Sequence, residues 1–287
     1  MAVDTSADGA RPKPSTEPLA RRLWRLLEPV HLVTYFAAEP TAALKGLGLP
    51  TYWAAYFAGR SAPLGRVPAE VVDALFYTFG PGQAGRSLPA AWDVTTPAAV
   101  LAARETGSVT ALRRLLGEAV DGPGVGRAAD LALRAAVDAP TEGRPLYAAL
   151  TSVPVPQEPV ARLWHAATLL REHRGDGHLA ALLCAGIGGM ESHVLQAVAR
   201  GLPPAQHLRL QRLPADRVEA LVDGLRARGL VVDATALTDA GTRILDRIET
   251  TTDELAAPAF AALTPQEADE LVADLEPLVA RIRAVGY

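Results

Sequence analysis

The sequence predicts a mainly α-helical protein in two parts, and three observations carry that expectation. Ala, Leu and Val dominate an apolar share of 49%, with few Ile or Phe, a bias that favours helix over sheet. Apolar residues recur at three- and four-residue intervals through most of the chain, as in helices with one buried face. After Leu202-Pro203-Pro204 the pattern changes to helix, short strand, sharp turn and long helix, and 287 residues are enough for two domains. The expected division is a disordered leader over 1–18, a helical domain over 19–200 that holds the candidate site, and a second domain over 201–287.

Composition limits the function classes. The net charge of −4 gives no global basic field to draw the protein onto nucleic acid or anionic lipid. Arginine is abundant while lysine is confined to Lys13 and Lys45, a balance typical of a GC-rich genome. The single cysteine, Cys184, lies in the apolar run LAALLCAG, so no intramolecular disulfide forms and the thiol is expected to be buried. MAVDTSADGARPKPSTEP lacks the apolar core of a signal peptide, and no window reaches the ~18 apolar residues of a membrane span. The cytoplasm is the expected address.

In chain order, LARRLWRLLEPVHLVTYF sets Leu19, Leu23, Leu26, Leu27 and Val30 at helical spacing, with Arg21, Arg22 and Arg25 turned outward. Pro29 is expected to kink or restart this helix. Glu28, His31 and Tyr35 then either line a concave surface or belong to the helical core. Ten of the fifteen aromatic residues fall between Tyr35 and Trp92, among them Trp53, Tyr56, Tyr77 and Phe79. They supply rigid apolar area with polar handles, suited to the wall of a small-molecule pocket or to an ordinary core. Arg60 and Arg86 each follow an aromatic helix beside Gly and Pro turns, where an arginine either clamps an anion or stays solvated. Helices continue through 96–139, and the proline-rich stretch 140–159 reads as a loop.

WHAATLLREHRGDGHLAAL, residues 164–182, is the most chemically crowded stretch and holds three of the six histidines. A helix is expected from about Val160 to His173, then a Gly175-Asp176-Gly177 turn with Asp176 as N-cap of a new helix. That would put His178 in a first turn, where the positive end of the helix keeps an imidazole neutral. His178 or His173 is the candidate proton-transfer group, with Glu172 or Asp176 orienting the ring. Trp164, His165, His31, Tyr35, Trp53, Tyr56, Tyr77 and Phe79 are expected to contact the substrate, and Arg174 and Arg60 to hold an anionic substituent. His165, His173, His178, Asp176 and Glu191 are metal-ligand types, but their spacing matches no zinc pattern. No metal or other cofactor is expected.

The order LRARGLV followed by LTDAG, with Thr238 capping the last long helix, resembles the C-terminal half of MarR-type winged-helix proteins over about Arg212 to Ala284. Together with EPVHLVTYF, ALFYTFGP and LREHRGDGH, the whole chain is similar to an actinobacterial helix-turn-helix family. The resemblance implies a winged helix, degenerate and with a minimal β wing. Its departures bear on DNA: the would-be wing tip carries Asp233, Ala234, Thr235 and Ala236 with no Arg or Lys. The would-be recognition helix carries Asp216, Glu219 and Asp223, and from Arg200 onward ten Arg face fourteen Asp and Glu. DNA is therefore not the expected partner, and the wing reads as a scaffold for packing or for a homodimer.

The leading expectation is a small-molecule-binding enzyme using acid/base chemistry on an organic, secondary-metabolite-like substrate. The alternatives are a ligand-responsive MarR-like regulator and a non-catalytic sequestration protein.

Overall fold

A computed structural model of the chain describes residues 17–208 and 213–286. Residues 1–16 of the expected leader lie outside the described residues. The architecture is helical throughout. A bundle of α1 (Leu19–Phe36), α6 (Pro97–Leu116), α7 (Pro123–Val137), α9 (Pro159–Cys184) and α14 (Pro265–Arg283) surrounds the largest core, which includes Leu23, Leu27, Leu112, Leu163, Leu275 and Ile282.

Helix α9 is the axis of the bundle. Seventeen of its 26 residues are buried, so unlike a surface helix it is enclosed on several sides. Helix α7 presents Ala128, Ala129, Ala132, Ala135 and Ala136, all buried, whose small side chains let it lie close along α9.

The expected Gly-Asp-Gly turn is not a turn: α9 runs unbroken through Gly175, Asp176 and Gly177. A Cβ on Gly177 would lie 2.8 Å from Arg144 Nη1 and 3.2 Å from Leu255 Cβ, so this glycine serves close approach, not chain reversal. Asp176 caps another helix instead. Its Oδ2 accepts from the backbone N–H of Tyr147 at 3.0 Å, at the N-terminus of α8 (Pro145–Leu150), inside the stretch expected to be a loop. Pro29 likewise lies within an uninterrupted α1.

A second core gathers Phe57 of α3 (Tyr52–Ser61), Val72 of α4 (Ala69–Leu75), Trp92 of α5 (Leu88–Val94) and Phe76, beside α2 (Ala38–Gly46). A third joins the end of α9 to α10 (Gly189–Ala199), α11 (Pro204–His207), α12 (Ala215–Ala227) and α13 (Asp239–Ala256) through Leu182, Ile187, Leu195, Leu225 and Ile248. Since α14 belongs to the first core and Ala181 and Leu182 to the third, the cores cross the boundary expected at residue 200. Thr238 caps α13 as expected, its Oγ1 accepting from Gly241 N.

Between α12 and α13 the expected wing amounts to one antiparallel bridge, Val231 to Leu237, and the described residues contain no strand. Cys184 is exposed at the end of α9, against the expected burial, because the helix finishes there and turns its last residues to solvent. Among the described residues no single helix is long and apolar enough to cross a membrane.

Candidate functional site

A cleft of about 590 Å³ opens where α1, α3, α9, α10 and α13 meet, with residues 75–79 along one side. Its wall is rich in guanidiniums, most of them ion-paired. Arg21, Arg25, Arg60, Arg171, Arg174 and Arg200 line it, against only two lining carboxylates, Glu28 and Glu249. Aromatic rings from Trp24, Tyr56, Phe76, Tyr77 and Phe79 complete it. A concave site with apolar rings and a few convergent charges fits an organic anion with a flat body.

Buried ion pairs and ring stacking hold the guanidiniums in place. Arg60 donates to both oxygens of Glu172, and Arg171 donates to Glu172 Oε1 at 2.8 Å and pairs with Glu28 at 3.2 Å. Burial alone would raise the Glu172 pKa; the Arg60 and Arg171 charges overcome this and hold it at about 2. Glu172 is thus a permanently ionised anchor and not a proton donor near neutrality. Arg174 reaches Glu249 at 3.1 Å and Asp253 at 3.2 Å, with its guanidinium 4.2 Å from the Trp24 ring centre. Arg60 lies at the same distance, 4.2 Å, over Phe76. Stacked and paired cations lose little further freedom on meeting an anion.

The tautomer of His178 follows from its partner. Thr252 Oγ1 donates its only proton to Ile248 O at 2.7 Å, so it must accept from His178 Nδ1–H, 3.0 Å away. Nε2 then carries the lone pair. Burial lowers the pKa; the Glu249 carboxylate opposes that and Arg174 adds to it. His178 is therefore neutral at pH 7 and oriented as a base, through burial and Thr252 and not through a helix N-terminus. His193, also on the cleft wall, donates from Nε2 to Thr78 O at 2.9 Å, leaving a lone pair on Nδ1. Its pKa too is lowered, chiefly by burial. Gly189 permits this contact: a Cβ there would sit 1.8 Å from Tyr77 O.

Of the expected site residues, His178, Arg174, Arg60, Tyr56, Tyr77 and Phe79 line the cleft. The others do not: those on α9 face different neighbours because the helix is a single buried rod, and His31, Tyr35 and Trp53 are engaged in packing by α1 and α3. His173 turns away against Tyr147, ring centres 5.0 Å apart, and burial lowers its pKa to about 4. Asp176 is committed to capping α8 and orients no imidazole. His31 donates from Nδ1 to Thr168 Oγ1 in the core, and Trp164 Nε1–H donates to Thr34 Oγ1 at 2.9 Å. His165 is buried, its pKa lowered to about 4 by that burial and by Arg104. Tyr35 is buried between His31 and Tyr56, and Trp53 packs on Tyr56, Phe57 and Phe79. Among the described residues no three metal-ligating side chains converge.

The sequence reading missed Arg21, Trp24, Arg25 and Arg171. The outward face of α1 looks solvated in sequence, yet α9 and α13 make it a cleft wall. The alternation of arginine and tryptophan in ARRLWR was the available signal.

A helical protein whose cores interlock along the central α9, with an arginine- and ring-lined cleft where α1, α3, α9, α10 and α13 meet, is the class that the fold and the site define. The chain belongs to a helix-turn-helix family, whose family model matches residues 20–287. No curated protein and no solved structure matches it.

Proposed function

We propose that this protein binds a small aromatic anion in the arginine-lined cleft and acts on it by proton transfer at His178. The observation that carries the reading is a neutral imidazole, its tautomer fixed by Thr252, among six guanidiniums on one cleft wall. Arg60, Arg171 and Arg174 hold a carboxylate or phosphate, the rings of Trp24, Tyr56 and Phe79 select a flat body, and Nε2 of His178 takes a proton from carbon or from water. Elimination, isomerisation and hydrolysis each begin with that step.

The test incubates native protein and His178→Ala with aromatic carboxylates and phosphate monoesters in D2O. Proton NMR reads exchange or product. Exchange or turnover with the native chain, lost in His178→Ala while binding persists, supports catalysis. Binding with no chemistry in either chain overturns the enzymatic half and leaves a sequestration protein.

A ligand-responsive regulator of MarR type is the second reading, favoured by the family and by α10 and α13, which line the cleft and share a core with α12; this reading takes α10 to α13 as the helix-turn-helix unit. A reduced wing and a homodimer through this unit belong to it. Against α12 as a DNA-reading element stands its charge: Asp216, Glu219 and Asp223 are exposed, Arg226 is paired with Asp223 at 2.5 Å, and Arg228 with Glu191 at 2.9 Å. Salt-sensitive retardation of promoter DNA, released by the same anions, would favour the regulator.

A further inference from the structure

Arg104 of α6 is among the largest fully buried side chains in the protein, 2% exposed. Its guanidinium has one protein acceptor, Gly59 O, at a long 3.4 Å, and its Nε and Nη2 have none. Among the described residues no carboxylate lies within ion-pair distance of it. The carboxylates of this region are already shared: buried Glu172 serves Arg60 and Arg171, and half-buried Glu28 serves Arg171. Arg104, the most buried of the three arginines, thus has no ion-pair partner of its own among the described residues: only the Trp164 ring, 5.5 Å from its guanidinium carbon, and the longer-range charge of Glu172 face it. An isolated buried charge is among the costliest arrangements in a protein interior.

Neighbouring titratable groups do not supply the missing charge. Burial pushes the Tyr35 hydroxyl up to about 12, so it stays protonated, and burial also raises Tyr52. His31 and His165 are neutral and offer no negative charge.

Beside Arg104 lies a chamber of about 20 Å³, lined by Tyr35, Tyr52, Tyr56, Thr34, Thr41 and Gly59 among others. A water needs roughly 10–15 Å³ of such space, so the chamber takes one particle of that size or slightly larger and no phosphate or sulfate. The Tyr35 hydroxyl, buried and without a partner, is a second donor on its wall. Tyr52, 41% exposed, borders the route to solvent.

We propose that this chamber is a halide site, in which one chloride ion is held by the Arg104 guanidinium and the Tyr35 hydroxyl. The ion neutralises the buried cation and ties α6 to α1 behind the tilted Tyr35–Tyr56 ring pair. The site does not depend on the cleft binding anything.

Two measurements test it. Crystals of the native protein grown in bromide, with anomalous data at the bromine edge, are expected to show bromide within hydrogen-bond reach of Arg104 Nη2 and Tyr35 Oη. A water there, an empty chamber, or bromide only at surface arginines overturns the proposal. In solution, replacing gluconate by chloride at constant ionic strength is expected to raise the melting temperature of native protein, and the rise is expected to shrink in Tyr35→Phe. Equal melting in the two salts contradicts the site whatever becomes of Arg104→Met.

Discussion

Arg60 and Glu172 meet as a two-pronged ion pair, Nε to Oε1 at 3.1 Å and Nη2 to Oε2 at 2.8 Å, which fastens α3 to the central helix. Glu172→Gln leaves Arg60 and Arg171 buried without their shared counter-charge. Removing one partner of a buried pair costs roughly 3–5 kcal/mol, so a loss of that order is expected in urea unfolding. The Glu172 pKa is depressed in the fold to about 2. The stabilisation is therefore complete above the unfolded carboxylate value near 4.5 and is lost as pH falls toward 2. Glu172→Gln is expected to remove that acid limb.

Asp176 has the opposite sign. Burial raises its pKa to about 6, against the Tyr147 N–H bond that lowers it. The fold favours its protonated form, so stability is greatest below the unfolded value near 4 and declines as pH rises through about 6. Asp176→Asn keeps an oxygen acceptor for Tyr147 and cannot ionise. It is expected to flatten stability between pH 4 and 6 and to be no less stable at pH 7. A large loss at pH 7 would mean that the charged carboxylate is needed.

The two glycines of α9 give a matched pair. A Cβ on Gly175 would meet only Glu172 Oε2, at an ordinary 3.5 Å, so Gly175→Ala is expected to gain up to about 1 kcal/mol from helix propensity. At Gly177 the new Cβ would press on Arg144 and Leu255, and overpacking of about 1–3 kcal/mol outweighs the same gain. If both substitutions destabilise strongly, the chain turns at this point and the continuous helix is wrong.

Nitrogen NMR of His178 reads its tautomer and its titration. The Nδ1–H form and a midpoint below the ordinary ~6.5 are expected. Glu249→Gln removes the carboxylate that raises this pKa and is expected to lower the midpoint further. Thr252→Val removes the acceptor and is expected to mix the tautomers.

Local patterns made the helical class, the buried stripe of Leu23, Leu26, Leu27 and Val30, and the Thr238 cap legible in sequence. Cleft residues were legible where a reactive or aromatic side chain stood beside a turn, as with Arg60, Tyr77 and Phe79. The Gly-Asp-Gly segment misled because its glycines answer to Arg144 and Leu255, distant in sequence, and its aspartate to α8. His31, His165 and His173 misled for a related reason: each is neutral and enclosed by helices that no local periodicity locates. Arg21 and Trp24 were hidden because the outward face of one helix becomes an inner wall only when two others cover it.

Fluorescence of Trp24, which lies under Arg174 on the cleft wall, tests the central claim most directly. Titration with aromatic carboxylates or phosphate monoesters is expected to give saturable, one-to-one quenching that weakens in Arg174→Met and disappears in Trp24→Phe. Neutral amides of the same rings are expected to bind at least tenfold more weakly. Equal binding of acids and amides, or no saturable change with any anion up to millimolar concentration, would contradict the account.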